Sequence, residues 1–172
     1  SETIRRAVDR ATAAGILVVA SAGNDGKGTV EFPANLDNVI AVGATDGRKQ
    51  RAPYSNFGTA LDLVAPGGDG DRNDDDDRFP DVVFQQMPDP AFIFVGRYDQ
   101  FCYCGLEGTS MAAPHVAGAA ALLFSQGIAD ARSVRAALEQ TAEDLGATGR
   151  DDQFGHGLIN PAKALSGVGL NK

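Results

Sequence analysis

The sequence lacks any apolar run approaching membrane-spanning length, any excess of positive charge, and any cysteine beyond Cys102 and Cys104. Without about 20 consecutive apolar residues there is no helix to cross a bilayer, so a membrane is not expected as a partner. Fifteen lysines and arginines against 23 aspartates and glutamates give a formal charge of −8, which argues against nucleic acid. Seven aspartates lie between Asp69 and Asp81, opposed only by Arg72 and Arg78, so −5 of that total is local and suggests a cation site. A bridge between cysteines two residues apart closes a very small strained ring, so Cys102 and Cys104 are expected as two thiols on one strand face. No secretion leader stands at Ser1, which says only that a mature or truncated chain begins there.

What is present fits one compact domain. The chain has 172 residues, 43% of them hydrophobic, and 21 glycines for tight turns. Ile4, Ala7, Val8, Ala11 and Ala14 recur at helical intervals and Gly15 stops them, which predicts an amphipathic helix over 3–14. Ile16 to Ala20 is a continuous apolar run of strand length, as expected of a strand buried on both faces of a parallel sheet. Val39 to Ala44 and Leu61 to Ala65 read as two more strands, with 46–51 a solvent loop between them. Helix followed by buried strand is the α/β pattern. Val82 to Gln85 and Phe92 to Val95 read as a hairpin leading to a strand over 98–106. Val134, Leu138 and Ala142 place an amphipathic helix over 131–142, and a closing helix follows Pro161.

The chemistry centres on Gly108-Thr109-Ser110-Met111-Ala112-Ala113-Pro114-His115-Val116-Ala117-Gly118. A serine approached through Gly105 and Gly108 and set at a helix start can project its hydroxyl into a cleft from a fixed backbone. Pro114 falls about one turn in, where losing one ladder bond does least damage. Ala117 to Phe124 are apolar all round, which predicts a buried helix and a rigid mount for Ser110. His115 lies about 140° round that helix from Ser110, so it cannot accept the serine's proton and is expected in a packing contact. His156 sits in a glycine turn and is not expected to be a catalytic base. Asn24 ends the first strand at a position where open α/β sheets keep their ligands. Its amide can donate to an oxyanion without a proton of its own to lose, although Gly-Asn-Asp-Gly also reads as a plain turn.

The Gly108–Gly118 segment closely resembles the nucleophile segment of the subtilisin-like serine peptidases. So do, in the family's order, Gly15-Ile-Leu-Val-Val-Ala-Ser-Ala-Gly-Asn24, Phe32-Pro-Ala-Asn35, Asn38-Val-Ile-Ala-Val-Gly-Ala44, Tyr54-Ser-Asn-Phe-Gly58, Leu63-Val-Ala-Pro-Gly67 and Gly155-His-Gly-Leu-Ile-Asn160. The match is looser over 68–106. The resemblance implies a serine-type endopeptidase that cleaves a protein or peptide substrate through an acyl-enzyme on Ser110. By the same resemblance Asn24 and the Ser110 backbone N–H are the oxyanion donors, and Ala22, Gly23, Phe32, Pro33 and Thr109 border the substrate. An extracellular setting also follows from it.

Serine needs a base beside it, and that imidazole needs a carboxylate. In the family both precede the oxyanion asparagine, in signatures of the Asp-Ser/Thr-Gly and His-Gly-Thr type, and neither occurs here. The expected fold is therefore a partial three-layer αβα domain with a mostly parallel sheet, its N-terminal half missing. Residues 1–172 are then the C-terminal part of one catalytic domain, with an acidic insertion at 68–81. A fragment, a cleavage product, or one chain of a complemented enzyme would each fit, and so would a non-catalytic pseudo-peptidase fragment that binds peptide or a partner. In the insertion, Asn73, Asp75, Asp77, Phe79 and Asp81 have the alternating spacing of calcium loops, with Arg78 where glycine is usual. The same run also reads as a solvated acidic loop.

Overall fold

The computed structural model describes residues 1–73 and 79–167. Helical spacing of Ile4, Ala7, Val8 and Ala11 gives α1 (Glu2–Ala13). Gly15, at φ 81°, ends it, with its N–H on Thr12 O at 2.9 Å and the Ile16 N–H on Ala11 O at 3.0 Å. The chain then lays down β1 (Val18–Ser21), β2 (Val39–Thr45) and β3 (Leu63–Pro66), all parallel, in the order β1-β2-β3. Val18 lies opposite Val39, and Val42 opposite Leu63.

Every residue of β2 is buried, because this central strand is covered on both faces. On one face Ile40, Val42, Ala44, Leu63 and Ala65 pack against α3 (Thr109–Ser125). Val134 and Leu138 of α4 (Ala131–Thr141) and Ala164 of α5 (Pro161–Gly167) extend that cluster. On the other face Ala41 and Val64 meet Ala34, Leu61, Phe154 and Leu158, while Val8 of α1 packs with Leu36 and Val39. The result is a three-layer α/β arrangement around a parallel sheet. Each fully buried leucine or isoleucine in it contributes about 1.5–3 kcal/mol. Asp130 caps α4 by accepting the Ser133 N–H at 2.9 Å, so the helix starts at the expected residue.

Four expectations need correction. Phe92 to Val95 are not a strand: α2 (Pro90–Ile93) forms there, because Asp89 accepts the Ala91 N–H at 2.9 Å and Pro90 takes the first helical position. The hairpin is instead β4 (Val83–Pro88) against β5 (Phe101–Leu106), antiparallel, with Val83 opposite Leu106. Cys102 and Cys104 are joined as a disulfide, with their Cα atoms 5.4 Å apart and so within bridging range. The first strand is half-buried rather than enclosed, since β1 is an edge, and Ile16 before it is 56% exposed. Finally, α3 is not buried all round. Ala112, Val116, Ala119, Ala120 and Leu123 face the sheet, while Ala117, Gly118, Ala121 and Leu122 lie exposed on the far side.

Candidate active site

The C-terminal ends of β1 and β3 lead into the two loops that meet at the start of α3. Gly67 and Gly68, just past β3, both donate their N–H groups to Thr45 O, at 3.0 and 3.1 Å. Gly67 O in turn accepts the Gly108 N–H at 3.0 Å, which fixes the residue before the helix. No side chain could replace Gly67: an added Cβ would lie 2.4 Å from Ala44 Cβ and 2.8 Å from Gly108 O. Gly108 itself has φ 145°, a backbone conformation that favours glycine.

Asn24 comes from the other loop. Its side-chain oxygen accepts two bonds from Thr109, the backbone N–H at 2.9 Å and the hydroxyl at 2.8 Å. The oxygen being engaged, the Asn24 amide nitrogen is left as a donor. A Cβ placed on Gly108 would lie 3.7 Å from Asn24 Nδ2 and 3.7 Å from the Ser110 backbone N. Both nitrogens therefore border one small space. The Ser110 N–H lies in the first turn, where a helix has no internal partner to offer, and has no bond among the described residues. Ser110 and Asn24 are exposed, and Thr109 between them is fully buried.

Sequence reasoning missed the residue that shapes the Asn24 loop. Asn56 is fully buried, and its Oδ1 accepts the N–H groups of Asp25 and Lys27, both at 3.0 Å. Its Nδ2 donates to Ala22 O at 3.3 Å, and its own N–H to Gly23 O at 3.0 Å. A side chain on Gly23 would collide with that amide, since an added Cβ would lie 2.3 Å from Asn56 Nδ2. The available signal was a polar Ser55-Asn56 pair set between residues that the apolar pattern buries, Ala52 and Leu61. Ala22 is buried at the end of β1, and Phe32, 37% exposed, precedes Pro33 through a cis peptide bond. Glu31 stands beside Gly23, and hydrogen bonding and repulsion from Asp25 push its carboxyl above the usual range.

The subtilase family (peptidase S8) matches residues 1–157. The chain belongs to the subtilase family. This subtilase chain is 39% identical over 165 residues to Subtilisin Savinase of Lederbergia lenta, covering 95% of the chain and 51% of that protein. It is 41% identical over 165 residues to Alkaline elastase YaB of Bacillus sp. (strain YaB), covering 95% of the chain and 36% of the relative. A solved protease of Pseudoalteromonas arctica superposes with a TM-score of 0.82 at 31% identity, over 97% of this chain and 47% of that one. The chain thus spans between about a third and a half of the length of the curated relatives it matches.

The remaining expected residues of this subtilase make other contacts. His115 is exposed and its Nδ1 donates to Met111 O at 2.8 Å, a contact within its own helix rather than against a neighbour. His156 lies 3.9 Å from Glu139, which pairs with Arg135 at 2.7 Å, and Arg135 pairs with Asp62 at 2.6 Å. Burial pushes the Asp62 carboxyl above its usual range, although the Ala41 N–H and Arg135 both act to lower it. Of the possible calcium ligands, Asp75 and Asp77 fall outside the described residues. Asp81 and Asp69 form an antiparallel bridge, and the described residues hold no group of three or more metal-ligating side chains. Among the described residues no helix is long and apolar enough to cross a membrane.

Proposed function

We propose that this chain carries the nucleophile and the oxyanion donors of a serine endopeptidase. Ser110 Oγ attacks the carbonyl carbon of a peptide bond, and its proton passes to a base on polypeptide outside these residues. The carbonyl oxygen becomes an oxyanion between Asn24 Nδ2 and the Ser110 N–H. The same base returns the proton to the leaving amine, and water then releases the acyl group from Ser110. Gly23, Phe32 and Pro33 border the substrate, whereas Ala22 and Thr109, expected there too, have no accessible surface and back that border from within. The base and its carboxylate belong to an N-terminal half of the domain or to a complementing chain, with residues 1–172 as the C-terminal part and 68–81 as an acidic insertion. The exposed small-residue face of α3 is consistent with such a covering segment. Work on extracellular proteins suits this reading, as does a structural calcium ion at 73–81, for which chelator-sensitive thermal stability is the check.

The observation that carries this proposal is that Asn24 Nδ2 and the Ser110 N each lie 3.7 Å from the position that a Cβ on Gly108 would occupy. A fluorophosphonate, which reacts with activated serines, provides the test. The isolated 172-residue chain is expected to remain unlabelled, and the protein carrying the upstream coding sequence to label at Ser110. Labelling of the isolated chain would remove the need for an external base. An upstream sequence without Asp and His signatures, and no labelling of the longer protein, would favour a peptide-binding pseudo-peptidase.

A further inference from the structure

Tyr54 touches both loops that carry Asn24 and Ser110. Its backbone oxygen accepts the Gly26 N–H at 2.7 Å, two residues beyond Asn24. Its hydroxyl accepts the Gly108 N–H at 3.0 Å, two residues before Ser110, and donates to Gly68 O at 2.7 Å. The ring packs against the cluster between the sheet and α3, so the hydroxyl is held from behind by the core. Gly67 leaves room for it, since a Cβ there would sit 2.9 Å from the hydroxyl oxygen.

We infer that Tyr54 is a positioning residue that sets the separation of Asn24 and Ser110, by tying one loop through its backbone and the other through its hydroxyl. This rests on the peptidase reading above for its catalytic consequence, though not for the tether itself. Two features make the hydroxyl suited to the task. It uses a donor and an acceptor at once, which a phenylalanine ring of the same size cannot do. Burial also holds it protonated well above the ordinary tyrosine range, with Glu107, Asp69 and Asp46 adding to that effect, so the donor persists in alkaline solution. The Gly108 N–H keeps a second acceptor in Gly67 O at 3.0 Å, so loss of the hydroxyl should loosen the loop without unfolding it.

The experiment is Tyr54→Phe in the protein carrying the upstream half, read in two ways. Amide hydrogen exchange of segments 66–70 and 105–110 reports the tether, and kcat and KM on a peptide substrate report its effect. Faster exchange in both segments, with kcat about tenfold lower and KM within about twofold of wild type, is expected for the loss of a positioning hydrogen bond. Unchanged exchange overturns the tether, and faster exchange with unchanged kcat overturns the positioning role. A wild-type protein without activity or fluorophosphonate labelling would sink the peptidase reading, and the exchange arm would still decide the tether. A Tyr54→Leu variant, which also removes the ring, separates packing from hydrogen bonding: comparable exchange in Phe and Leu variants assigns the tether to the hydroxyl, whereas a wild-type-like Phe variant assigns it to the ring and overturns the proposal.

Discussion

Asn24 and Thr109 meet through one oxygen, which takes both the backbone N–H and the hydroxyl of Thr109 at 2.9 and 2.8 Å. Eighty-five residues of chain separate the two. The pairing commits the oxygen of the Asn24 amide to Thr109 and leaves the nitrogen as the donor.

Replacing Asn24 by leucine in the longer protein should lower kcat and leave KM nearly unchanged. Removing the corresponding donor of a subtilisin costs about 2.7–4 kcal/mol, or 10²–10³ in kcat, and a loss of that order is expected. Steady-state kinetics on a peptide substrate provide the check. A raised KM with kcat intact would instead make Asn24 a substrate contact.

Arg135→Ala should destabilise the fold by about 2–3 kcal/mol, less than the loss of a fully buried pair because both partners keep some solvent contact. Arg135 holds Asp62 at 2.6 Å and also donates to Asp37 O and Val39 O, at 3.1 and 3.2 Å. Burial already raises the Asp62 carboxyl in the folded state, and removing the guanidinium raises it further. A raised folded-state value gives stability that is present at low pH and lost as pH rises through it. Urea unfolding should therefore show a larger deficit for the variant at pH 7 than at pH 4.

Alkaline stability should report on Tyr54. An unfolded tyrosine ionises near pH ~10, and in the fold burial pushes that ionisation higher. The neutral phenol's contribution is thus complete below pH ~10 and declines as pH climbs from there toward the folded value. Urea midpoints compared between wild type and Tyr54→Phe should fall more steeply above pH ~10 in wild type. Parallel curves would mean that the phenol titrates alike in both states.

Much of this architecture could be read from residue spacing. The three parallel strands announced themselves as short apolar runs, and α1, α4 and α5 by helical periodicity or a preceding proline. The failures have local causes. At 90–93 the Asp89-Pro90 start signal outweighed an apolar run that read as strand. At β1 an apolar run could not say whether a second strand would flank it. The uniformly apolar sequence of α3 could not say that Ala117, Gly118, Ala121 and Leu122 would stand exposed. At the candidate site, glycine, serine and asparagine were legible through a long motif. Asn56 and Tyr54 were not singled out, because their partners lie 14 to 54 residues away and such bonds leave no spacing in the chain.

Gly108 is the residue through which the chain enters α3. With φ 145° and no side chain, it leaves vacant a spot 3.7 Å from each of two nitrogens. A methyl group there would touch nothing nearer than 3.7 Å, so the bar to a side chain is the backbone angle and not crowding. The approach of the chain to Ser110 is thus fixed by torsion, at the residue type that accepts it without strain.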